Sequence, residues 1–180
     1  MLCFYALLLC VALMFNSGCQ DNGSIDKLVR TTEERIRGIE PRKVSLVTGT
    51  DGGGSMKVWV ADGRIQKLQV TIGLSVSERI LLFHLVDDCH AVYTDINRSY
   101  GWAVAEETFD AKVTGAIDGV QCEIVNGEVR NTRVFGSVGW GDEEHATDAI
   151  KSVMNYFIGE AKKGSPEVDA ENFIKQGRGS

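Results

Sequence analysis

Two stretches decide the fold: WVADGRIQKLQV, Trp59–Val70, and EIVNGEVRNTRV, Glu123–Val134. Each sets an Asx-Gly pair, Asp62-Gly63 or Asn126-Gly127, between segments whose apolar residues recur at every second position. A type I′ turn needs positive φ at both central residues, and Asx followed by Gly meets that demand at the least steric cost. Period-two segments around such a turn predict two β-hairpins. A branched apolar residue stands two places after each Gly, Ile65 in one stretch and Val129 in the other. The likeness fits a duplicated unit, or two hairpins obeying the same turn chemistry, and the second reading is preferred.

Outward from these hairpins the same period persists. Val44, Leu46 and Thr48 alternate with Ser45 and Val47, which predicts a strand over 43–48, followed by the flexible connection GTDGGGS at 49–55. Met56–Ala61 leads into the first Asx-Gly turn and Arg64–Leu74 leads away from it. Arg79–Val86 and His90–Ile96 predict another hairpin about Asp87-Asp88, while Tyr100–Phe109 and Ala111–Thr114 add strand. Val120, Cys122 and Ile124 alternate into the second Asx-Gly turn, and Val129–Phe135 returns. Helical spacing appears only at the flanks. Ser24 can cap a helix carrying Ile25, Leu28, Val29, Thr32 and Ile36 on one stripe, closed by Gly38 and Pro41. Asp142 can cap a second, with Glu143 and Glu144 at its positive end, an apolar face of Ala146, Ala149, Ile150, Val153, Met154, Phe157 and Ala161, and Lys162, Lys163, Gly164 and Pro166 at its close. The expectation is an α+β fold: an antiparallel β-meander of about six to eight strands packed with an N-terminal and a C-terminal helix. Residues 24–164 would form this single domain, with 165–180 a C-terminal tail bearing a short helical turn around Val168–Ile174.

The first nineteen residues, MLCFYALLLCVALMFNSGC, hold no charged side chain, so the net charge of −6 resides in the chain beyond Cys19. An acidic balance excludes a nucleic-acid binder, which needs a basic face to neutralise phosphates. The apolar run Leu2–Phe15 is short of the roughly 20 residues needed to span a bilayer and has the length of a signal-peptide core. With Ser17 and Gly18 before Cys19, this segment resembles the signal of bacterial lipoproteins, although Asn16 stands where that family usually has an apolar residue. The resemblance covers residues 2–20 and implies removal of 1–18, lipidation of Cys19 and a tether over 19–23. It also implies a place in the cell envelope, on the outer membrane facing the periplasm, because Gln20 rather than Asp follows the Cys. Several acyl chains on one Cys would give stable anchoring. The segment lacks a basic start, which suggests an initiation site further upstream. Secretion with cleavage nearby, or an uncleaved anchor, are the alternatives.

Candidate chemistry is sparse. Cys89 and Cys122 are the cysteines after Cys19, and export would permit a disulfide between them; the alternative is a turn thiol and a buried one. His84, Asp87, Asp88, Cys89 and His90 include metal-ligand types, but a two-residue turn at 87–88 would put the two histidines on opposite faces, so no metal site and no cofactor is expected. The Gly136–Gly141 run precedes a helix whose first turn is acidic, which would repel a phosphate. His145 lies in that same turn. Neither G-x-S-x-G, H-E-x-x-H nor S-x-x-K occurs, so no catalytic residue is assigned. Trp102 in NRSYGWAV, with Tyr100, is the best candidate for an exposed aromatic contact with a ligand or partner.

These features favour a non-enzymatic envelope lipoprotein, tied to the membrane by its lipid, that binds a protein partner or an apolar ligand through its sheet. One alternative is an inhibitor of a basic envelope-targeting enzyme such as a lysozyme, which an acidic protein could meet by charge. Another is a hydrolase whose motif is not legible.

Overall fold

The structure is a computed structural model and describes residues 22–103, 108–136, 143–164 and 166–171. In chain order these residues form α1 (Asn22–Arg35), β1 (Arg42–Val47), β2 (Gly54–Ala61), β3 (Arg64–Gly73), β4 (Ser77–Leu85), β5 (His90–Ala103), β6 (Thr108–Val125), β7 (Glu128–Phe135), α2 (Glu143–Lys163) and β8 (Glu167–Asp169). One eight-stranded sheet runs β7-β6-β5-β4-β3-β2-β1-β8. Strands β1 to β7 are a sequential antiparallel meander, and β8 joins the outer edge of β1 in parallel. The fold is thus α+β, with the sheet open rather than closed on itself.

Turn chemistry sets the register. Asp62 and Gly63 have φ of 51° and 72°, and Asn126 and Gly127 have 52° and 77°, so both two-residue turns hold positive φ at each central position. They pair Ala61 with Arg64 and Val125 with Glu128. The turn at Asp87-Asp88 is wider than its sequence suggests. Leu85 pairs with Ala91 and His84 with Val92, leaving Val86–Cys89 as the connection. The amides of Val86 and Asp87 both donate to the His90 carbonyl, and the Asp87 side chain accepts from the Cys89 amide, which closes this larger loop. The parity of the pairing changes with it, so His84 and His90 share one face of the sheet instead of lying on opposite faces.

The two faces differ in chemistry. On one, Val44, Leu46, Met56, Val58, Leu68, Val70, Leu81, Phe83, Tyr93, Cys122 and Ile124 pack against Ile150, Val153, Phe157 and Ala161 of α2. The other carries α1, whose Ile25, Thr32 and Ile36 are buried. Helix α1 starts at Asn22, two residues before the expected Ser24 cap, and ends before Gly38, whose φ of 79° breaks the helical path. Gly164, at φ 76°, closes α2 with its amide bonded to the Ala161 carbonyl, as its place in the sequence suggests.

The second helix does not end the fold. Glu167–Asp169, within the stretch expected to be a tail with a helical turn, instead forms β8: Ser45, Leu46 and Val47 pair with Glu167, Val168 and Asp169. Val168 is 2% exposed and joins the core, the Tyr156 hydroxyl donates to the Asp169 carbonyl, and Ala170 donates its amide to Val47. A three-residue strand offers too few alternations to be read by period. A Val168→Asp substitution should therefore cost about 3 kcal/mol or more, because it buries an unpaired charge. Urea unfolding checks this; a midpoint within error of the wild type would return β8 to the status of a surface tail.

Candidate functional site

Cys19 lies outside the described residues, as do residues 137–141 of the glycine run, Asp142, and the side chain of His145. The other residues singled out in the sequence fall at opposite ends of the sheet. Cys89, with Asp87, Asp88 and His90, sits at the end formed by the β2–β3, β4–β5 and β6–β7 turns. Tyr100 and Trp102 sit at the other.

At the turn end lies a cleft of about 1180 Å³ between these loops and the C-terminal half of α2. Ile65, Leu85, Ile124, Met154 and Ile158 form apolar wall, and charged side chains, Arg64, Asp88 and Lys162 among them, crowd its rim. Arg35 of α1 closes one side by donating to the Val86 carbonyl at 2.9 Å. The disulfide that export would permit is not formed, and the alternative holds: Cys89 is an exposed free thiol and Cys122 a buried one. Register explains it. Cys122 pairs with Tyr93, four positions along the chain from Cys89, or about 13 Å at about 3.3 Å per residue. A bridge needs Cα atoms within about 7 Å. Burial pushes the Cys122 thiol up to about 12, so it carries no thiolate at neutral pH. Among the described residues, no three His, Cys, Asp or Glu side chains are placed to hold a metal.

At the far end, β5 and β6 outrun their neighbours. Strand β4 pairs β5 only as far as Ser99, and β7 pairs β6 only as far as Gly119. Beyond them Tyr100–Ala103 and Thr108–Thr114 continue as a two-stranded ribbon, with Trp102 opposite Phe109. The Tyr100 amide anchors the base of the ribbon to the Val76 carbonyl at 2.8 Å. Trp102 is 52% exposed, and Val76 and Ile117, nearer the base of the ribbon, are about equally open.

Buried polar groups were not legible in the sequence. Asp95, on the face that carries α2, accepts from Arg79 Nε and Nη2 and from the Tyr93 hydroxyl. Burial works against the Arg79 charge, but the Asp95 bond outweighs it and raises the guanidinium further. On the face beneath α1, Glu33 accepts from Lys67 Nζ at 2.5 Å and lies 2.9 Å from His84 Nε2. Lys67 also sits 4.9 Å from the centre of the Trp59 ring. Next to this cluster Gln121 donates to Thr94, and Glu123 meets His90 and Asn131. The one signal available was phase: Arg79 and Asp95 occupy the same alternation as Leu81, Phe83, Ala91 and Tyr93.

The Glu33 cluster makes stability depend on pH. Burial, and then the nearby Lys67, hold the His84 imidazole below its ordinary value of 6.5, against the opposing pull of the Glu33 bond. The folded state therefore binds this proton less readily than the unfolded chain, and the His84 contribution is complete above the unfolded value and lost as pH falls below it. Burial raises Glu33, but its bonds to Lys67 and His84 prevail and lower it, so its contribution is lost only further down, below 4.5. The urea midpoint should be flat above about pH 7 and begin to fall near pH 6.5, with a second fall in the carboxylate range. Replacing His84→Leu should remove the upper limb and leave the lower one; an unchanged profile would separate His84 from the effect.

Thiol labelling tests the two cysteines. Iodoacetamide followed by peptide mapping should modify Cys89 in the native protein and Cys122 only after unfolding. Equal labelling of both would contradict the burial of Cys122. No protein family, curated protein or solved structure matches this chain.

Proposed function

We propose that the protein is a non-enzymatic envelope lipoprotein, anchored through Cys19 on the periplasmic side of the outer membrane, that binds a protein partner through the ribbon bearing Tyr100 and Trp102. The observation that carries the reading is the ribbon itself: an aromatic side chain half open to solvent on a projection that neither β4 nor β7 covers. Amphipathic aromatics of this kind supply large contact area at low entropic cost and anchor many interfaces. An apolar ligand is less well served. Both faces of the sheet carry the protein's own helices, the space beneath α2 is filled by side chains, and the cleft at the other end has a charged rim.

The placement of α1 adds a direction. Near its N-terminus Asp26 pairs with Arg133 of β7 at 2.8 Å, and Arg133 lies opposite Gln121, two residues from the last β6–β7 pair. At its C-terminus Arg35 reaches the turn end. The helix therefore points its first residues toward the ribbon end. Since Asn22 stands three residues after Cys19, a lipid there would lie within about 10 Å of the helix start. The ribbon would then work close to the bilayer, where a membrane-borne partner is within reach. A second reading, inhibition of a basic enzyme, draws on the net charge of −6 and on the exposed Asp88 at the cleft.

Anchoring and binding are tested separately. Wild type should fractionate with membranes at a lipid-shifted mass, and Cys19→Ser should be released and unshifted. A photo-crosslinking residue at position 102 should give one discrete protein adduct in envelope preparations, and the same residue at position 51 should give none. A soluble, unmodified wild type would end the anchoring claim. Adducts at 102 that are absent or consist of lipid alone would end the partner claim, and capture of a lysozyme there would favour the inhibitor reading.

A further inference from the structure

We propose that α1 is a displaceable strap, which leaves the sheet as one unit while the β-sheet and α2 stay folded.

The first support is what lies beneath it. The sheet face under α1 presents Lys67, His84, Thr94, Gln121 and Glu123, with Val92 fully buried and Leu82 half-buried as its apolar residues. Two side-chain atoms there are buried with no hydrogen-bond partner among the described residues, His84 Nδ1 and Gln121 Oε1, in residues that are 3% and 8% exposed. A buried polar atom without a partner forfeits its hydration, so opening this layer to water returns what closure withheld. The apolar face under α2 gains nothing comparable from opening.

The second support is how α1 is held. Its fully buried aliphatic side chains are Ile25 and Ile36, with Thr32 between them bonding back to the Leu28 carbonyl. Leu28 and Val29 are half-buried, and the rest of the grip is polar: Glu33 on Lys67 and His84, Asp26 on Arg133, and Arg35 on the Val86 carbonyl and Gln66. Helix α2 presents Ile150, Val153, Phe157 and Ala161 to the core by contrast. Polar contacts exchange readily for water, whereas apolar area does not.

The third support is a hinge. Gly38, at φ 79°, breaks the helical path between α1 and β1, and nothing lies within 4 Å of where a Cβ would stand. Pro41 and β1 come next, fixed in the sheet. Release at this hinge withdraws Arg35 from Val86, the first residue of the loop that lines the cleft, so the position of α1 and the shape of the cleft are coupled. Segments that move in such couplings come from the low-stability end of a fold.

Native-state hydrogen exchange on the expressed chain, followed by mass spectrometry across a low-urea series, tests the proposal. Peptides covering 22–38 should exchange roughly tenfold or more faster than peptides covering β3–β6, and together from end to end. Glu33→Gln should speed the 22–38 peptides further and leave β3–β6 unchanged. Exchange of α1 and the sheet at one common rate would overturn the proposal, as would fraying confined to the Asn22 end. A Glu33→Gln effect spread evenly over every peptide would overturn it too, since that is general destabilisation.

Discussion

The packing of α2 across one whole face of the sheet is the constraint on which the rest depends. The chain finishes its meander at β7, on one edge, and must reach the outer side of β1 to lay down β8. Six strand spacings separate β7 from β1, about 29 Å at about 4.8 Å each. A helix of 21 residues is about 31 Å long. The helix is therefore long enough to bridge the sheet edge to edge, and its apolar stripe shares one core with residues from β1 through β6. Because one face is sealed by this crossing, the register of every strand is fixed: a one-residue slip would carry a row of Val, Leu and Ile to the wrong side.

Much of this was legible where the information is local. Asx-Gly turns announce themselves because few other pairs tolerate two consecutive positive φ values, and both hairpins formed with the two-residue loops that this chemistry demands. Gly164 marked the end of α2 for the same steric reason. What was not legible depends on pairing between distant residues. Strand β8 needs α2 to deliver it beside β1, and its three residues carry almost no periodic signal of their own. In the β4–β5 loop, where the Cys89 amide donates to the Asp87 side chain, the turn is one residue wider than the sequence suggests, which reverses the relative faces of His84 and His90. The distance between Cys89 and Cys122 likewise derives from the β5–β6 register, which residue spacing alone does not give.

The candidate sites show the same division. Exposure of Trp102 was readable from its turn-rich, small-residue neighbourhood, and the structure leaves it on a ribbon that outruns its neighbours. The cleft was invisible in advance, because its walls come from three hairpin turns and one helix that lie far apart in the chain. The pair of half-exposed Arg79 and buried Asp95 was equally hidden: each residue alone looks like a strand-end polar group, and only the β4–β5 register brings the fork of the guanidinium onto the carboxylate.

A sheet with one apolar and one polar side divides labour between its helices. Side chains of α2 share an apolar layer with seven strands, so its departure would expose the core and is in effect global unfolding. Departure of α1 exposes groups that water can serve as well as the helix does, and the apolar layer on the opposite side is untouched. Stability can therefore reside in one layer while movement resides in the other. Under the proposed anchor this separation has a geometric meaning. Docked, α1 keeps its own first turn, on the sheet beside Arg133, within about 10 Å of the lipidated residue. Released at Gly38, its 14 residues add about 21 Å of reach between the bilayer and β1. The same polar contacts that make α1 weakly held would then set how far from the membrane Trp102 can meet its partner.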